Sequence, residues 1–370
     1  MSALDSLFAK TDVTIESPDD LEAVNALYQE RGWSDGLPII PPTTERVERM
    51  LAFCDRPIEE SLGKIPPRFS PATPLRIAAN AVMAGCRPEF FPLVLASIDA
   101  LLDPAVNLYG VQATTHPCST LLVFNGPIAR EVGVNAGHNA FGPCFPANAA
   151  IGRAVRLALL NLGGATPGFR DMATQGTPAK FSYCAAENEA ESPWDPYHVE
   201  LGFSADTSTV TVLGAEAPHN INDHESTNGE GMLMTIGGTM ATTGSNNVAV
   251  ASTPLLALGP EHAATIAGSG YSKADIKKYL YENGRIPLSR FAPENIERAM
   301  KIRCPDRYVN APADVGVPMT QCPEDLIIMV IGGAGKHSLY IPTFGNTRAV
   351  TRPLKLASGA LAKSVQEFRR

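Results

Sequence analysis

The chain has 370 residues, of which 44% are hydrophobic, so it is long enough to bury a large core in two domains or in one large α/β unit. Charged residues make up 18%, below the roughly 25% of an ordinary soluble domain, which predicts a well-covered chain and favours an oligomer. The formal net charge is −8 and lysines and arginines form no cluster, so nucleic acid and anionic membranes are excluded as expected partners.

The first residues, "MSALDSLFAKTDVTIES", lack the basic region and the continuous apolar run of a signal peptide. No apolar run approaches the roughly 18 residues of a membrane-spanning helix. The 7 cysteines are scattered without a C-x-x-C pair, which is atypical of a disulfide framework or a structural zinc site. These features predict a cytoplasmic protein with free thiols.

Residues 1–105 are expected to form a mainly helical N-terminal region. Acidic residues in the first turn and a glycine after the end predict a helix over 18–31. A proline-rich loop follows, and a second helix begins near Thr43. Thr73, followed by a proline, is typical of an N-cap and first helical position, and 89–103 reads as a further apolar helix.

Residues 106–370 have a different pattern, in which apolar β-like runs alternate with helical segments. A helix is predicted over 147–164, and another over 272–284, where Ser272 and Asp275 form a capping-box pattern. This alternation predicts an α/β region with a largely parallel or mixed sheet that is covered by helices, and no tandem repeat is evident. The four predicted strands are 120–127, 208–216, 247–260 and 326–335.

Ligands of open parallel sheets bind outside the carboxyl ends of the strands. Four of the 7 histidines follow a predicted strand within a few residues, and His116 follows a shorter β-like run in "NLYGVQATTHPC" (107–118). We therefore expect these five rings to approach one cleft, although an ordinary loop would also place polar residues there. These histidines are His116, His219, His224, His262 and His337.

The segment "GAEAPHNINDHES" (214–226) concentrates acids and imidazoles, and it is the first candidate for general acid–base catalysis, with His219 and Glu216 as the catalytic pair. His219 and Asp223 are four residues apart, as on one helical face. Two alternatives stay open. One is a divalent metal site that takes a third ligand such as Glu216 or Glu187, and the other is a polar turn or helix cap.

The loop "GGAGKHS" (332–338) follows a strongly apolar run, and its backbone amides and lysine are typical of an anion-binding loop. It is not a Walker A motif, because His337 stands where Ser or Thr is required. His116 and His337 are alternative catalytic residues, and Cys118, close to His116, is a candidate thiol nucleophile or an inert buried cysteine. The predicted substrate-binding residues are Lys336, Gly333, Gly335, Asn139, Glu187, Asp223, His224, His262 and Arg348.

Six segments of the chain form a recognisable set, namely "ERGWSDGLPIIPPT", "NLYGVQATTHP", "NAFGP", "AENEAESPW", "GAEAPHNINDH" and "GGAGKHS". Together they resemble an uncharacterised bacterial family associated with UGSC-motif proteins, in which selenocysteine or cysteine precedes Gly-Ser-Cys. The resemblance spans roughly residues 20 to 353, but the chain contains neither U-G-S-C nor C-G-S-C. It therefore implies a companion portion whose reactive thiol or selenol belongs to a separate subunit.

The leading prediction is an enzyme subunit that acts on a small anionic organic molecule by general acid–base chemistry of the lyase, hydratase or hydrolase type. No organic cofactor is expected, and a divalent metal stays open. The first alternative is a thiol- or selenol-dependent reductase component that works with a UGSC-type partner. The second is a binding subunit without chemistry of its own.

Overall fold

The computed structural model describes residues 15, 17, 19–248, 250 and 252–370. The first fourteen residues, which include most of the segment tested for a signal peptide, lie outside the described residues. Helices α1 to α14 span Leu21–Glu30, Thr44–Leu51, Pro74–Met83, Phe91–Leu101, Leu108–Ala113, Pro127–Glu131, Pro146–Asn161, Tyr197–Glu200, Gly229–Met240, Pro260–Gly268, Lys273–Asn283, Pro293–Asn295, Lys301–Arg303 and Pro305–Tyr308.

Twelve strands, some of only two or three residues, are present in the part of the chain that the structure describes. Strands β1 to β12 span Lys64–Ile65, Ser70–Pro71, Ser119–Asn125, Cys184–Ala186, Thr209–Ala215, His219–Asn222, Leu255–Leu258, Arg285–Pro287, Gly316–Pro318, Ile327–Val330, His337–Ile341 and Val350–Pro353.

Local signals predicted the helix ends well. Thr73 accepts a hydrogen bond from Arg76 N at the start of α3, and Pro74 is the first helical residue, as the sequence predicts. The capping box of Ser272 and Asp275 at the start of α11 is confirmed, and Thr43 caps α2. Each of these signals acts within one helical turn, so it does not depend on the rest of the fold.

The predicted α/β class with a mixed, helix-covered sheet is confirmed, but the strands form two main sheets instead of one. Sheet I has the order β12-β5-β3-β4, and sheet II has the order β10-β7-β11-β6. Each contains one parallel pair, β3 with β4 and β7 with β10, while the other pairings are antiparallel. The parallel character expected from the sequence is therefore limited to these two pairs.

Alternate side chains of one strand enter different cores, which shows how the layers stack. Leu121 and Val123 of β3 share a core with Leu255 and Ala257 of β7, so the two sheets pack face to face. Phe124, on the other face of β3, packs with the helices that cover sheet I. Because side chains alternate between the faces of a strand, the architecture is a four-layer sandwich of helices, sheet I, sheet II and helices.

The helical layer on sheet I comes mainly from the N-terminal region and α7. One core runs from Val24 through Ile77, Leu93 and Ile151 to Phe368, so helices before residue 105 pack with strands after it. A second core, with Met232, Ile266 and Leu280 among its members, joins sheet II to α9, α10 and α11.

The two sheets repeat one topology that the sequence did not reveal. In each sheet, one strand of the parallel pair also pairs with an antiparallel strand from the same half of the chain. This strand is β5, beside β3, in sheet I and β11, beside β7, in sheet II. The fourth strand is exchanged, because β6 follows β5 in sequence but pairs with β11, while β12 follows β11 but pairs with β5. An antiparallel bridge joins Ala215, at the end of β5, to Thr343, which follows β11.

Two predicted local structures are wrong. The segment 108–113, read as a short β-like run, is helix α5, whose N-cap Asn107 adopts left-handed backbone angles and accepts a hydrogen bond from Gly110 N. The helical face predicted for His219 and Asp223 is absent, because His219–Asn222 is strand β6 and pairs with β11. Within the described residues of the run 247–260, the strand spans Leu255–Leu258.

A glycine followed by a proline ends both β3 and β7, and each glycine packs against the backbone of a neighbouring segment. A Cβ on Gly126 would lie 2.5 Å from Thr207 O, and one on Gly259 would lie 2.2 Å from His337 O. We expect Gly126→Ala and Gly259→Ala each to lower the free energy of unfolding by about 2 kcal/mol or more, because backbone atoms cannot move aside cheaply. Urea denaturation measures this loss.

Gly238 in α9 is the matched control, since a Cβ there would meet nothing within 4 Å. Gly238→Ala should raise the free energy of unfolding by about 0.5–1 kcal/mol, as is usual for alanine in a helix. Equal effects of the three substitutions would contradict this account of the two glycine–proline turns.

Candidate functional site

The carboxyl ends of both parallel strand pairs lie on one side of the sandwich. Asn188 follows β4 and ties the two sheets together there, since its backbone N–H donates to Val330 O at 2.7 Å and its side chain donates to Gly332 O at 2.9 Å. Gly332 N in turn donates to Ala136 O. The loop after β10 is thus held against sheet I, at the edge where ligands bind in parallel sheets.

The loop 332–335 requires glycine for two reasons. Gly332 and Gly335 have φ angles of 120° and 136°, which side-chain-bearing residues rarely adopt. A Cβ on Gly333 would lie 2.3 Å from the His138 ring. His138 is therefore a neighbour of the loop that the sequence reasoning did not single out, and no local pattern of the chain indicates this contact.

Two exposed histidines meet directly beside this loop. The Nε2 atoms of His224 and His337 are 3.4 Å apart, and the rings are nearly perpendicular at 79°. His337 Nδ1 lies 3.0 Å from Asn220 Oδ1 on the adjacent strand β6, and Lys336 Nζ donates to His224 O at 2.6 Å. We call His224, His337, Lys336 and loop 332–335 the imidazole site.

Buried groups beneath the imidazole site hold its strands in place. His262 Nε2 lies 3.1 Å from Asp223 O, so this nitrogen donates, and Nδ1 lies 2.8 Å from Ser338 Oγ. Burial acts to raise the pKa of Asp223, but hydrogen bonds from Ser226 and from Glu225 N hold it at about 2. Asp223 and His262 thus support the site from below. Both are buried, contrary to the prediction that they bind the substrate.

A carboxylate cluster of Glu187 and Glu189 lies on the sheet I side of Asn188. Asn125 Nδ2 and Tyr197 N donate to Glu187 Oε2, and Gly126 N donates to Glu189 Oε1. The Glu187 side chain has no exposed surface, its Oε1 lies 3.9 Å from Lys273 Nζ, and burial raises its pKa. Glu187 is therefore a buried polar residue held by Asn125 and Tyr197, and its role in binding a substrate or metal stays a prediction.

The predicted pair of His219 and Glu216 is wrong, because the partner of Glu216 is His116. His116 Nε2 lies 2.9 Å from Glu216 Oε1, and the Phe344 ring stacks on the imidazole at 5.5 Å. His219 is exposed on β6 and donates or accepts no side-chain hydrogen bond among the described residues.

The histidines do not share one cleft, contrary to the prediction. His116 precedes β3, whereas the imidazole site lies near the opposite, carboxyl end of that strand. A strand of seven residues spans about 20 Å, so the pair His116–Glu216 and the imidazole site are separate. His224 and His337 are brought together, and His262 lies beneath them.

Three further residues predicted for the site have other structural roles. Cys118 is buried, and burial raises the pKa of its thiol to about 12, so a thiolate nucleophile is not available at neutral pH. Arg348 pairs with Asp325 and does not reach loop 332–335. Asn139 is exposed with a φ angle of 57° and forms a turn in which Gly142 N donates to its carbonyl.

No group of three or more His, Cys, Asp or Glu side chains is arranged to hold a metal ion within the described residues. In the same part of the chain no single helix is long and apolar enough to cross a membrane. The helical segments 88–101 and 104–113 reach that length and composition when they are taken together, but a bend of 73° separates them.

Comparisons of the chain with family models, curated proteins and solved structures found no match. The resemblance to the UGSC-associated family therefore stays a prediction.

Burial gives His262 a defined effect on stability. Burial lowers its pKa below the value of about 6.5 for an exposed histidine, so the folded state binds this proton less readily than the unfolded chain does. The stability that neutral His262 contributes is present above about pH 6.5 and is lost as the pH falls below it.

We expect the free energy of unfolding of the natural chain to fall between about pH 7.5 and 5.5, and His262→Gln to reduce this fall while lowering stability at the upper pH. Buried His198, whose pKa is also lowered by burial, contributes in both proteins. Urea titrations across this range test the prediction, with His219→Ala as the exposed control. An unchanged pH dependence in His262→Gln would contradict it.

Proposed function

We propose that the chain is an enzyme subunit that acts on a small anionic organic molecule by general acid–base chemistry at the imidazole site. The observation that carries the proposal is the approach of His224 Nε2 and His337 Nε2 to 3.4 Å on an exposed edge. Two ring nitrogens this close can both reach one bound molecule, so one can act as base while the other acts as acid.

The tautomer of His337 follows from its second nitrogen. Asn220 Oδ1 accepts a hydrogen bond, so His337 Nδ1 carries the proton in the neutral ring. Nε2 then presents its lone pair at the exposed edge, where it can take a proton from a bound molecule. Asn220 acts on the reaction through His337 and is a positioning residue.

Loop 332–335 supplies the anion-binding part of the proposal. The backbone N–H groups of Gly333, Ala334 and Gly335 donate no hydrogen bond to any residue that the structure describes, and Lys336 lies at the end of the loop. Consecutive unpaired amides beside one ammonium group favour a carboxylate or a phosphate. Lys336 keeps one N–H on His224 O, and its other two protons are available to the ligand.

The proposed reactions are those in which a proton is moved near a carboxylate or phosphate, as in lyases, hydratases and hydrolases. The reductase alternative draws on the resemblance alone, and in it the reactive thiol or selenol belongs to the partner. The oligomeric state and the cytoplasmic location stay predictions.

One distance is compatible with a metal-dependent form of the same proposal, in which His224 and His337 would supply two ligands, since no third His, Cys, Asp or Glu joins them in the part of the chain that the structure describes. Two imidazole nitrogens bound tetrahedrally to one zinc ion at about 2.0–2.1 Å would be about 3.4 Å apart, which matches His224 and His337. Asn220 on the second nitrogen of His337 is also typical of metal-binding histidines. Elemental analysis of protein purified without chelator, compared with His337→Ala, distinguishes the two forms.

The acid–base proposal is tested by solvent exchange. The protein is incubated in D2O with malate, fumarate, citrate or lactate, and deuterium incorporation and turnover are followed by proton NMR. We expect exchange with at least one acid, and we expect His337→Ala and His224→Ala each to slow it by about 10²–10⁴-fold, the usual contribution of a general acid or base.

His219→Ala is the control, because His219 lies on the same edge strand and contacts neither ring. Exchange should also be unaffected in His116→Ala, because His116 lies at the opposite end of the sandwich from the imidazole site. Absence of exchange with every acid, or loss of exchange in His116→Ala but not in His337→Ala, would contradict the proposed site.

A further inference from the structure

A large opening lies between the N-terminal helices and the end of α7, and no step of the acid–base proposal uses it. It encloses about 1170 Å³, more than the usual 300–1,000 Å³ of a small-molecule site. Its walls come from α1, α2, α3, the β1–β2 hairpin and the segment after α7. We call it the arginine cleft after Arg31, Arg68, Arg76 and Arg170, which line it.

The charge of the arginine cleft is opposite to that of the chain. Among the lining residues that the structure describes, the four arginines face one acidic residue, Glu59, in a protein whose net charge is −8. Elsewhere arginines pair with carboxylates, as Arg153 does with Asp35 and Arg352 with Asp103. The cleft arginines form no ion pair with any residue the structure describes, so their charge is uncompensated there.

The contacts that these arginines do make leave their N–H groups largely available. Arg31 lies over the Trp33 ring at 5.0 Å, Arg170 lies over Phe169 at 4.7 Å, and Arg68 Nη1 reaches Asn161 O at 3.4 Å. Guanidinium groups stacked on rings are held in position while their edges stay free for bidentate hydrogen bonds.

Helix ends do not decide the charge of the cleft. The N-termini of α2 and α3, at Thr43 and Thr73, line it, but so do the C-terminal ends of α1 and α7. Partial charges of about half a unit at opposite ends largely offset one another. The four whole charges of the arginines therefore dominate.

One wall of the cleft is apolar and aromatic. Tyr28 and Trp33 pack edge to face with ring centroids 5.4 Å apart, and Val24, Val47 and Met83 also line the opening. Val24, Val47 and Met83 are buried, but Tyr28 and Trp33 are partly exposed, so a purely inorganic anion would leave these two rings in contact with water. A ligand that has both an apolar body and several negative charges would satisfy both walls.

We infer that the arginine cleft binds an organic polyanion, with its phosphate or carboxylate groups on the arginines and its apolar body against Tyr28 and Trp33. This site is distinct from the imidazole site. Asn148, near the start of α7, donates to Asn135 O, and the carbonyl of the next residue, Ala136, accepts from Gly332 N of the imidazole site, whereas Asn161 lines the cleft. Thirteen residues of helix between them span about 20 Å.

Isothermal titration of the full chain tests the inference with ADP, citrate and inorganic pyrophosphate as anionic probes and adenosine as the uncharged probe. We expect at least one anion to bind, adenosine not to bind, and affinity to fall as salt is raised. Because the apolar body of the ligand packs against Tyr28 and Trp33, ADP should bind more tightly than pyrophosphate. Preference for citrate would instead identify a polycarboxylate.

Arg76→Gln and Arg68→Gln should each weaken binding about tenfold or more, the usual effect of removing a charge-assisted hydrogen bond. The matched control is Arg49→Gln, because Arg49 is an exposed residue of α2 that pairs with Glu45 and does not line the cleft. Having two cleft variants keeps the test valid if one fails to fold, which circular dichroism reports.

His337→Ala should leave probe binding unchanged, so failure of the imidazole site and failure of the cleft give different results. No binding by any anion up to about 1 mM, a limit that corresponds to about −4 kcal/mol, would overturn the inference. Binding that both arginine variants retain would overturn it as well.

Discussion

The face-to-face packing of two mixed sheets is the constraint on which the rest of this structure depends. Leu121 and Val123 of β3 meet Leu255 and Ala257 of β7 in one core, while the opposite faces of the same strands contact helices. Every residue of β3, β5, β7 and β10 is buried as a result. The exchange of β6 and β12 between the sheets fastens the two halves, because neither sheet is complete without a strand from the other half.

This packing also decides which polar groups meet. The parallel pairs of both sheets end on the same side, where Asn188 joins the loop after β4 to the loop after β10. Imidazoles from sheet II and carboxylates from sheet I therefore lie on the same edge of the sandwich. The antiparallel strand β5 ends at the opposite side, which carries Glu216 away from this edge and towards His116.

The sequence predicted those features that depend on near neighbours in the chain. The caps at Thr73 and Ser272 and the long apolar strands β3 and β5 lie close to their predicted positions. The second sheet was not predictable from the same patterns, since a continuous apolar strand looks alike whether a helix or a sheet covers its second face. For the same reason, the runs of both halves were assigned to one sheet.

The candidate site was predicted in part. Lys336, His337, His224 and the glycine loop lie together, because they flank adjacent strands of sheet II. The pairing of Glu216 with His116 joins residues 100 positions apart, and the contact of His138 with Gly333 joins residues from different halves. No spacing rule covers such contacts. His219 was misplaced because a four-residue interval was read as helical, whereas pairing with β11 makes it a strand.

The most direct measurement of the central claim is the tautomeric state of His337, read from ring-nitrogen chemical shifts in nitrogen-15 NMR of the folded protein. The account predicts that the neutral ring carries its proton on Nδ1, held by Asn220 Oδ1, and that Asn220→Ala removes this preference. A neutral His337 protonated on Nε2, and unaffected by Asn220→Ala, would contradict the account, because the nitrogen that faces His224 would then have no lone pair to accept a proton.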